Sequence, residues 1–215
     1  MAYPWVRDEM TLHEKRRVRR WFRAMRDAKE RWVFGASTAV NNHRTHQLKM
    51  LRLLDEVLGS PARERQARDY EVMGHLEKNL DASSGLSVDY QERDALYYHV
   101  YTLEPWLEIA WLNGTVDPAI EAAVGYLIER LEEGDLGGEF EHSSSSLDAA
   151  RARAGFGYGR GGSDFDPRRA RRVLWTYEAL TGTPLPAAVS EQIAGNPEPH
   201  ELYYWLRREQ CLSPR

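Results

Sequence analysis

Residues 94–112 read DALYYHVYTLEPWLEIAWL, the most apolar stretch of the chain. Leu96, Val100, Leu103, Trp106, Ile109, Ala110 and Trp111 recur at helical spacing and fall on more than one side of the helix. The segment therefore predicts a helix buried among other helices. Upstream, the turn-like stretch 81–87, with Ser83-Ser84-Gly85, separates it from a helix expected over 62–80. Before that, Leu48, Leu51, Leu54 and Leu58 mark an amphipathic helix that stops at Gly59-Ser60-Pro61. Thr11 and Glu14 form a capping-box signature ahead of Val18, Trp21, Phe22, Met25 and Trp32, which predicts a first helix over 12–33. Downstream, Asp117-Pro118 reads as an N-cap with proline at the first helical position, opening a helix that ends near Glu133-Gly134. Further helices are expected over 147–154, 167–180 and 199–209. Alternating strand patterns are lacking, so the sequence predicts an all-α fold in one domain spanning 1–215.

Composition fits a folded helical protein: 42% of residues are hydrophobic and 29% charged. Seven Trp and eleven Tyr can build either a core or a sugar-binding cleft. Net charge is −4, yet His13 to Arg31 holds nine Lys or Arg against three Asp or Glu. That run is either a solvated face or a contact for a polyanion. Cys211 has no second cysteine to pair with inside the chain. No apolar run of signal-peptide type opens the chain, and none is long enough to span a bilayer.

Several patterns carry little chemistry. Gly157, Gly159 and Gly162 match a dinucleotide fingerprint in spacing, but the strand and helix that give that motif its function are missing from the pattern, so 155–162 reads as a loop. His43 and His46 have a permissible metal spacing without a third ligand nearby. The serines at 143–146 lack a nucleophile-elbow context and read as the start of a helix. Two segments concentrate polar side chains at helix starts: Asn41-Asn42-His43-Arg44, and Arg93-Asp94-Ala95-Leu96-Tyr97-Tyr98-His99-Val100-Tyr101. Tyr97 and Tyr101 are helical neighbours at i and i+4, as are Tyr98 and Tyr101 at i and i+3. Hydroxyls, an imidazole and a guanidinium can converge there, although the same groups also serve as hydrogen-bond partners between packed helices.

Taken together and in order, these segments resemble the alginate lyases. Asn41-Asn42-His43-Arg44 is similar to the family's Asn-Asn-His motif, and the segment from Arg93 through Tyr98-His99-Val100-Tyr101-Thr102-Leu103-Glu104-Pro105 to its Tyr-His-x-Tyr-x-Leu-x-Pro motif. Glu139-Phe140, Ser143, Leu147-Asp148, Arg151 and Gly155 resemble a further stretch of some members, with Leu147 where an aromatic is common. The likeness runs from about Thr11 to Leu180 and corresponds to the later part of the family domain, with the helices expected before Thr11 missing.

The resemblance implies an incomplete α/α toroid of antiparallel helix pairs, lacking its N-terminal helices, whose groove binds an anionic polysaccharide. It implies cleavage of alginate or a related uronate polymer by β-elimination without a cofactor. Asn42, His43 and Arg93 would meet the substrate carboxylate, whose neutralisation stabilises the charge that develops when the C5 proton leaves. Tyr101 would be the catalytic tyrosine, acting as base and acid in a syn elimination if nearby cations lower its pKa. In an anti elimination His43 would be the base. Asn41, Arg44, Tyr98 and His99 would line or support the substrate site. Family members act in the periplasm or outside the cell, an address for which this chain has no signal peptide. The alternatives are a non-catalytic polyuronate-binding remnant and a basic helical protein that binds nucleic acid through 13–31. The last has no recognisable nucleic-acid motif, so no specific nucleic-acid partner is expected.

Overall fold

The computed structural model describes residues 7–36, 38–155, 163–198, 201 and 204. It is all-α: helices α1 (Leu12–Glu30), α2 (Asn42–Leu58), α3 (Ala62–Asn79), α4 (Val88–Arg93), α5 (Leu96–Asn113), α6 (Pro118–Glu133), α7 (Ser146–Arg153), α8 (Arg171–Thr181) and α9 (Ala187–Gln192). Short 3-10 turns run over Arg7–Glu9 and Pro167–Ala170. Backbone pairing outside helices, among the described residues, is limited to the isolated bridges Leu80 to Ser87 and Glu139 to Ser163. No helix among them is long and apolar enough to cross a membrane.

Helix α5 is the centre of the molecule, packing against α2, α4, α6 and α8. Leu103 and Trp106 are fully buried on it, against Leu48 of α2, Leu127 of α6 and Leu174 of α8. Each such side chain contributes about 1.5–3 kcal/mol relative to an exposed one. Several polar groups in this core are paired, although Thr176 Oγ1 has no hydrogen-bond partner. The Trp106 Nε1 donates to Asn79 Oδ1 at 2.7 Å, Asn79 Nδ2 donates to the Val40 carbonyl at 2.9 Å, and Thr45 and His75 share a 2.8 Å contact. These links lock α2, α3 and α5 into one register at little desolvation cost.

Start and stop signals explain most helix bounds. Thr11 and Glu14 make the reciprocal capping box, Asn41 caps α2 by accepting the His43 N–H at 3.0 Å, and Asp117 caps α6. Gly59 and Gly134 end α2 and α6 in the left-handed conformation, with φ of 66° and 72°. Helix α1 stops at Glu30, short of the expected 33, and leaves Trp32 and Val33 exposed.

The expected helix over 94–112 is α5, Leu96–Asn113, and the short α4 ahead of it is an element the sequence did not announce. Asp94 takes a left-handed turn, φ 48°, that ends the short α4 and lets α5 begin at Leu96. Aspartate tolerates this region better than most residues, so the break is encoded without glycine. The expected helix over 167–180 begins as the 3-10 turn and becomes regular at Arg171, and α9 is an addition that its short polar sequence did not announce. The expected helix over 199–209 and the glycine loop at 155–162 fall largely outside the described residues.

Candidate functional site

Proline at position 105 sits inside α5, where it cannot donate to the Tyr101 carbonyl one turn earlier. The His46 imidazole of α2 lies against this turn, its ring 4.5 Å from the Tyr101 ring, and its Nε2 is buried without a hydrogen-bond partner. At the other end of this face, Glu139 caps α5 with its carboxylate. It accepts the Leu96 N–H at 2.6 Å and the Tyr97 N–H at 3.1 Å, satisfying donors that the helix start leaves free.

The loop carrying Glu139 closes against the turn at Asp94. Phe140, at φ 66°, donates its N–H to the Asp94 carbonyl at 2.7 Å, so the two left-handed non-glycine residues among the described ones hold each other. His142 N–H adds a 3.0 Å bond to the Asp94 carboxylate, and Ser144 bonds the Glu92 carbonyl through both N–H and hydroxyl. A bulky residue at positive φ is costly, and such strain persists only where the surroundings over-determine it. Here it places Phe140 edge-on to Tyr98, with ring centroids 5.8 Å apart.

Between α2, α5, this loop and residues 163–169 lies a cleft of ≈ 530 Å³. Asn42, His43, Arg93, Tyr98 and Tyr101 all line it, so five of the residues singled out from the sequence share one wall or floor. Asn41, Arg44 and His99 do not. Asn41 is occupied as the cap of α2, and Arg44 turns to Gln47 and Glu71. His99 is 0% exposed in the core, with its ring nitrogens on Ser87 Oγ at 3.1 Å and the Ala123 carbonyl at 2.9 Å. Burial holds its pKa down, to about 4, against that carbonyl, so His99 is a neutral packing residue.

Arg93 enters the cleft in a different role from that expected of a substrate ligand. Its guanidinium is buried, paired with Asp148 through two nitrogens and stacked 3.5 Å from the Tyr98 ring centroid. Ser143 Oγ supplies Asp148 with a further donor at 3.0 Å. The charge of Arg93 is thus matched inside the protein, and the arginine holds Tyr98 and α7 in place. Ser145 stands at the N-cap position of α7 without making a side-chain cap bond.

A second arginine, Arg169, also lines the cleft. It stands on the turn after Pro167, is exposed, lines the cleft opposite α2, and places its guanidinium 5.0 Å from the Tyr97 ring centroid. Among the described residues no carboxylate lies within ion-pair distance of it. Nothing in its local sequence distinguishes it from Arg168, which pairs with Asp166 at 2.9 Å; only the folded arrangement does.

His43 and Tyr101 differ in state. His43 is exposed at the mouth, and desolvation, then Arg93 and Arg151, lower its pKa, so the imidazole is neutral near pH 7. Burial, then Glu104 and Tyr97, raise that of Tyr101, with Arg172 opposing. The expectation that nearby cations lower the tyrosine is therefore corrected: burial first, then Glu104 and Tyr97, outweigh Arg172. Beneath them Asp89 accepts the Asn42 N–H at 2.7 Å, the Asn42 Nδ2 at 2.6 Å and the Thr102 hydroxyl at 2.9 Å. One amide hydrogen and the amide oxygen of Asn42 stay available to the cleft. No group of three His, Cys, Asp or Glu suited to a metal gathers among the described residues. No family model matches this chain, and neither a curated protein nor a solved structure does.

Proposed function

We propose that this cleft binds a uronate-containing polysaccharide, alginate or a related polymer, and cleaves it by β-elimination. The observation that carries the reading is the joint presence on one cleft of a neutral imidazole, a protonated phenol and the Arg169 guanidinium, which makes no ion pair among the described residues, although its charge reaches Glu139 and Asp166. Arg169 pairs with the uronate carboxylate, and the free amide hydrogen of Asn42 adds a hydrogen bond, which stabilises the enediolate-like charge. His43 takes the C5 proton as a neutral base. The C4–O4 bond then breaks, a C4=C5 bond forms, and Tyr101 gives its hydroxyl proton to the departing oxygen. This division follows the resting protonation states, since a phenol held above its ordinary value of 10.0 is a better proton donor than base at the start of a turnover.

Incubation with alginate and a panel of other polyuronates should produce the ultraviolet absorbance of an alkene conjugated with a carboxylate. Tyr101→Phe should abolish that signal and retain binding, because the hydroxyl alone is lost from a half-exposed side chain. Binding without turnover on every polymer would move the reading to a polyuronate-binding domain. Failure to bind or cleave any of them would end it.

A further inference from the structure

The cleft does not end at His43 and Tyr101. Both residues also line a smaller hollow of ≈ 270 Å³ on the far side of α2, together with Trp32, His46 and Lys49. Trp32 is 62% exposed, a large aromatic surface open to solvent at the hollow's rim. From it an aromatic row leads inward: Trp32 to Phe34 is 6.4 Å between ring centroids, and Phe34 to His43 is again 6.4 Å. The strap that carries Trp32 is fixed, since the buried Gln47 donates its amide to the Lys29 carbonyl at 2.5 Å and to the Trp32 carbonyl at 3.1 Å.

Lys49 supplies the charge. Its ammonium is partly buried, and among the described residues no carboxylate stands at ion-pair distance. Glu108 and Glu104 of α5 are the acids whose charge reaches it, and Glu104 is itself paired with Arg172 at 3.3 Å. A half-desolvated cation beside an exposed indole matches one repeat of a polyuronate: the flat C–H face of a pyranose covers the ring while its carboxylate meets the ammonium.

We infer that this hollow is a second uronate subsite, in which Trp32 stacks a sugar ring and Lys49 takes its carboxylate, so that the polymer crosses the site on both sides of Tyr101. The subsite rests on the reading of the main cleft as a polyuronate site. Lys49 lies one turn along α2 from His46, which places the second carboxylate beyond the reacting sugar and adds affinity without touching the chemistry.

Titration calorimetry with mannuronate oligosaccharides of two, four and six sugars tests it, alongside the alkene absorbance. The wild type should bind the tetramer more tightly than the dimer. Lys49→Gln and Trp32→Ala should each weaken tetramer and hexamer binding roughly tenfold or more, the effect of losing one charged contact, and leave dimer binding unchanged. Trp32 is exposed, so its variant keeps the core intact, and a thermal melt checks both. Tetramer affinity equal to dimer affinity, or untouched by either substitution, overturns the subsite while cleavage keeps the main reading standing. Length-dependent binding that both substitutions remove, with no turnover, upholds the subsite and overturns the lyase chemistry alone. Absence of binding at every length overturns both.

Discussion

The fold treats the charges of Arg93 and Arg169 differently, although the sequence singles out only the first. Arg93 lies inside the recognisable Tyr-His-x-Tyr segment and is the obvious cation for a substrate carboxylate, yet Asp148, fifty-five positions away, consumes its charge. Breaking a buried pair leaves an uncompensated charge and typically costs about 3–5 kcal/mol. Arg93→Gln should therefore lower the unfolding free energy measured in urea by an amount of that order, and the midpoint with it. Arg169→Gln should leave the midpoint unchanged, because the side chain is exposed and has no ion pair among the described residues. It should instead reduce kcat/KM for polyuronate by roughly 10–100-fold, the loss of a charge-assisted contact that strengthens as the enediolate forms. Equal rates for Arg169→Gln and wild type would place the carboxylate elsewhere in the cleft.

At the scale of elements the site is a junction, and Asp89 is its pin. From the first turn of α4 its carboxylate reaches the N-terminus of α2 through Asn42 and the body of α5 through Thr102. Burial pushes its pKa up to about 6, against the opposing hydrogen bonds from Thr102 and Asn42 and the charge of Arg93. The folded carboxyl holds its proton more tightly than the unfolded one, whose ordinary value is 3.8, so stability from this group is full below that value and falls as pH rises towards 6. Relative to Asp89→Asn, the wild type should lose roughly 2–3 kcal/mol between pH 4 and pH 7 in urea unfolding. A difference that does not change with pH would show that the carboxyl titrates as it does in the unfolded chain. Little of this junction is legible in sequence. Helices announce themselves through Leu48, Leu51 and Leu54, through Thr11 with Glu14, and through Asp117-Pro118, because spacing and caps are local. The pairing of Asp89 with Asn42, of Glu139 with the start of α5, and of the His46 ring with the Tyr101 ring joins residues dozens of positions apart, and each has an ordinary local context. The motif residues Asn42, His43 and Tyr101 were visible because they cluster at helix starts; Arg169 and Lys49 were not, since a cation's partner, or lack of one, is set only by the fold.

Across the whole molecule, a net charge of −4 conceals a polarised first helix. None of α1's residues is buried, and it packs on α2. Its inward arginines have structural partners: Arg19 donates to the Leu58 carbonyl at 2.7 Å, capping the C-terminus of α2, and Arg26 reaches Ser60 at 2.9 Å and Asp55 at 3.6 Å. Arg16, Arg17, Arg20 and Arg23 are exposed and make no ion pair with any described residue. Four exposed cations on one helix attract any polyanion, and they do so without register, because contacts to phosphate alone carry no sequence information. Glutamine at these four positions should leave polyuronate cleavage nearly unchanged, since none of the four lines the cleft. The same variant should lose whatever weak binding the wild type shows to duplex DNA, and its dependence of log affinity on log salt should flatten by roughly 0.9 for each phosphate contact removed. Fluorescence anisotropy with two unrelated duplexes at several salt concentrations reads both quantities. Tight binding at physiological salt that distinguishes the two duplexes would make the helix a recognition surface in its own right. Equal, salt-quenched binding to both would leave it a solvated face whose long-range field draws polyanions towards the protein, while the matched charges of Arg19 and Arg26 hold the helix to the body.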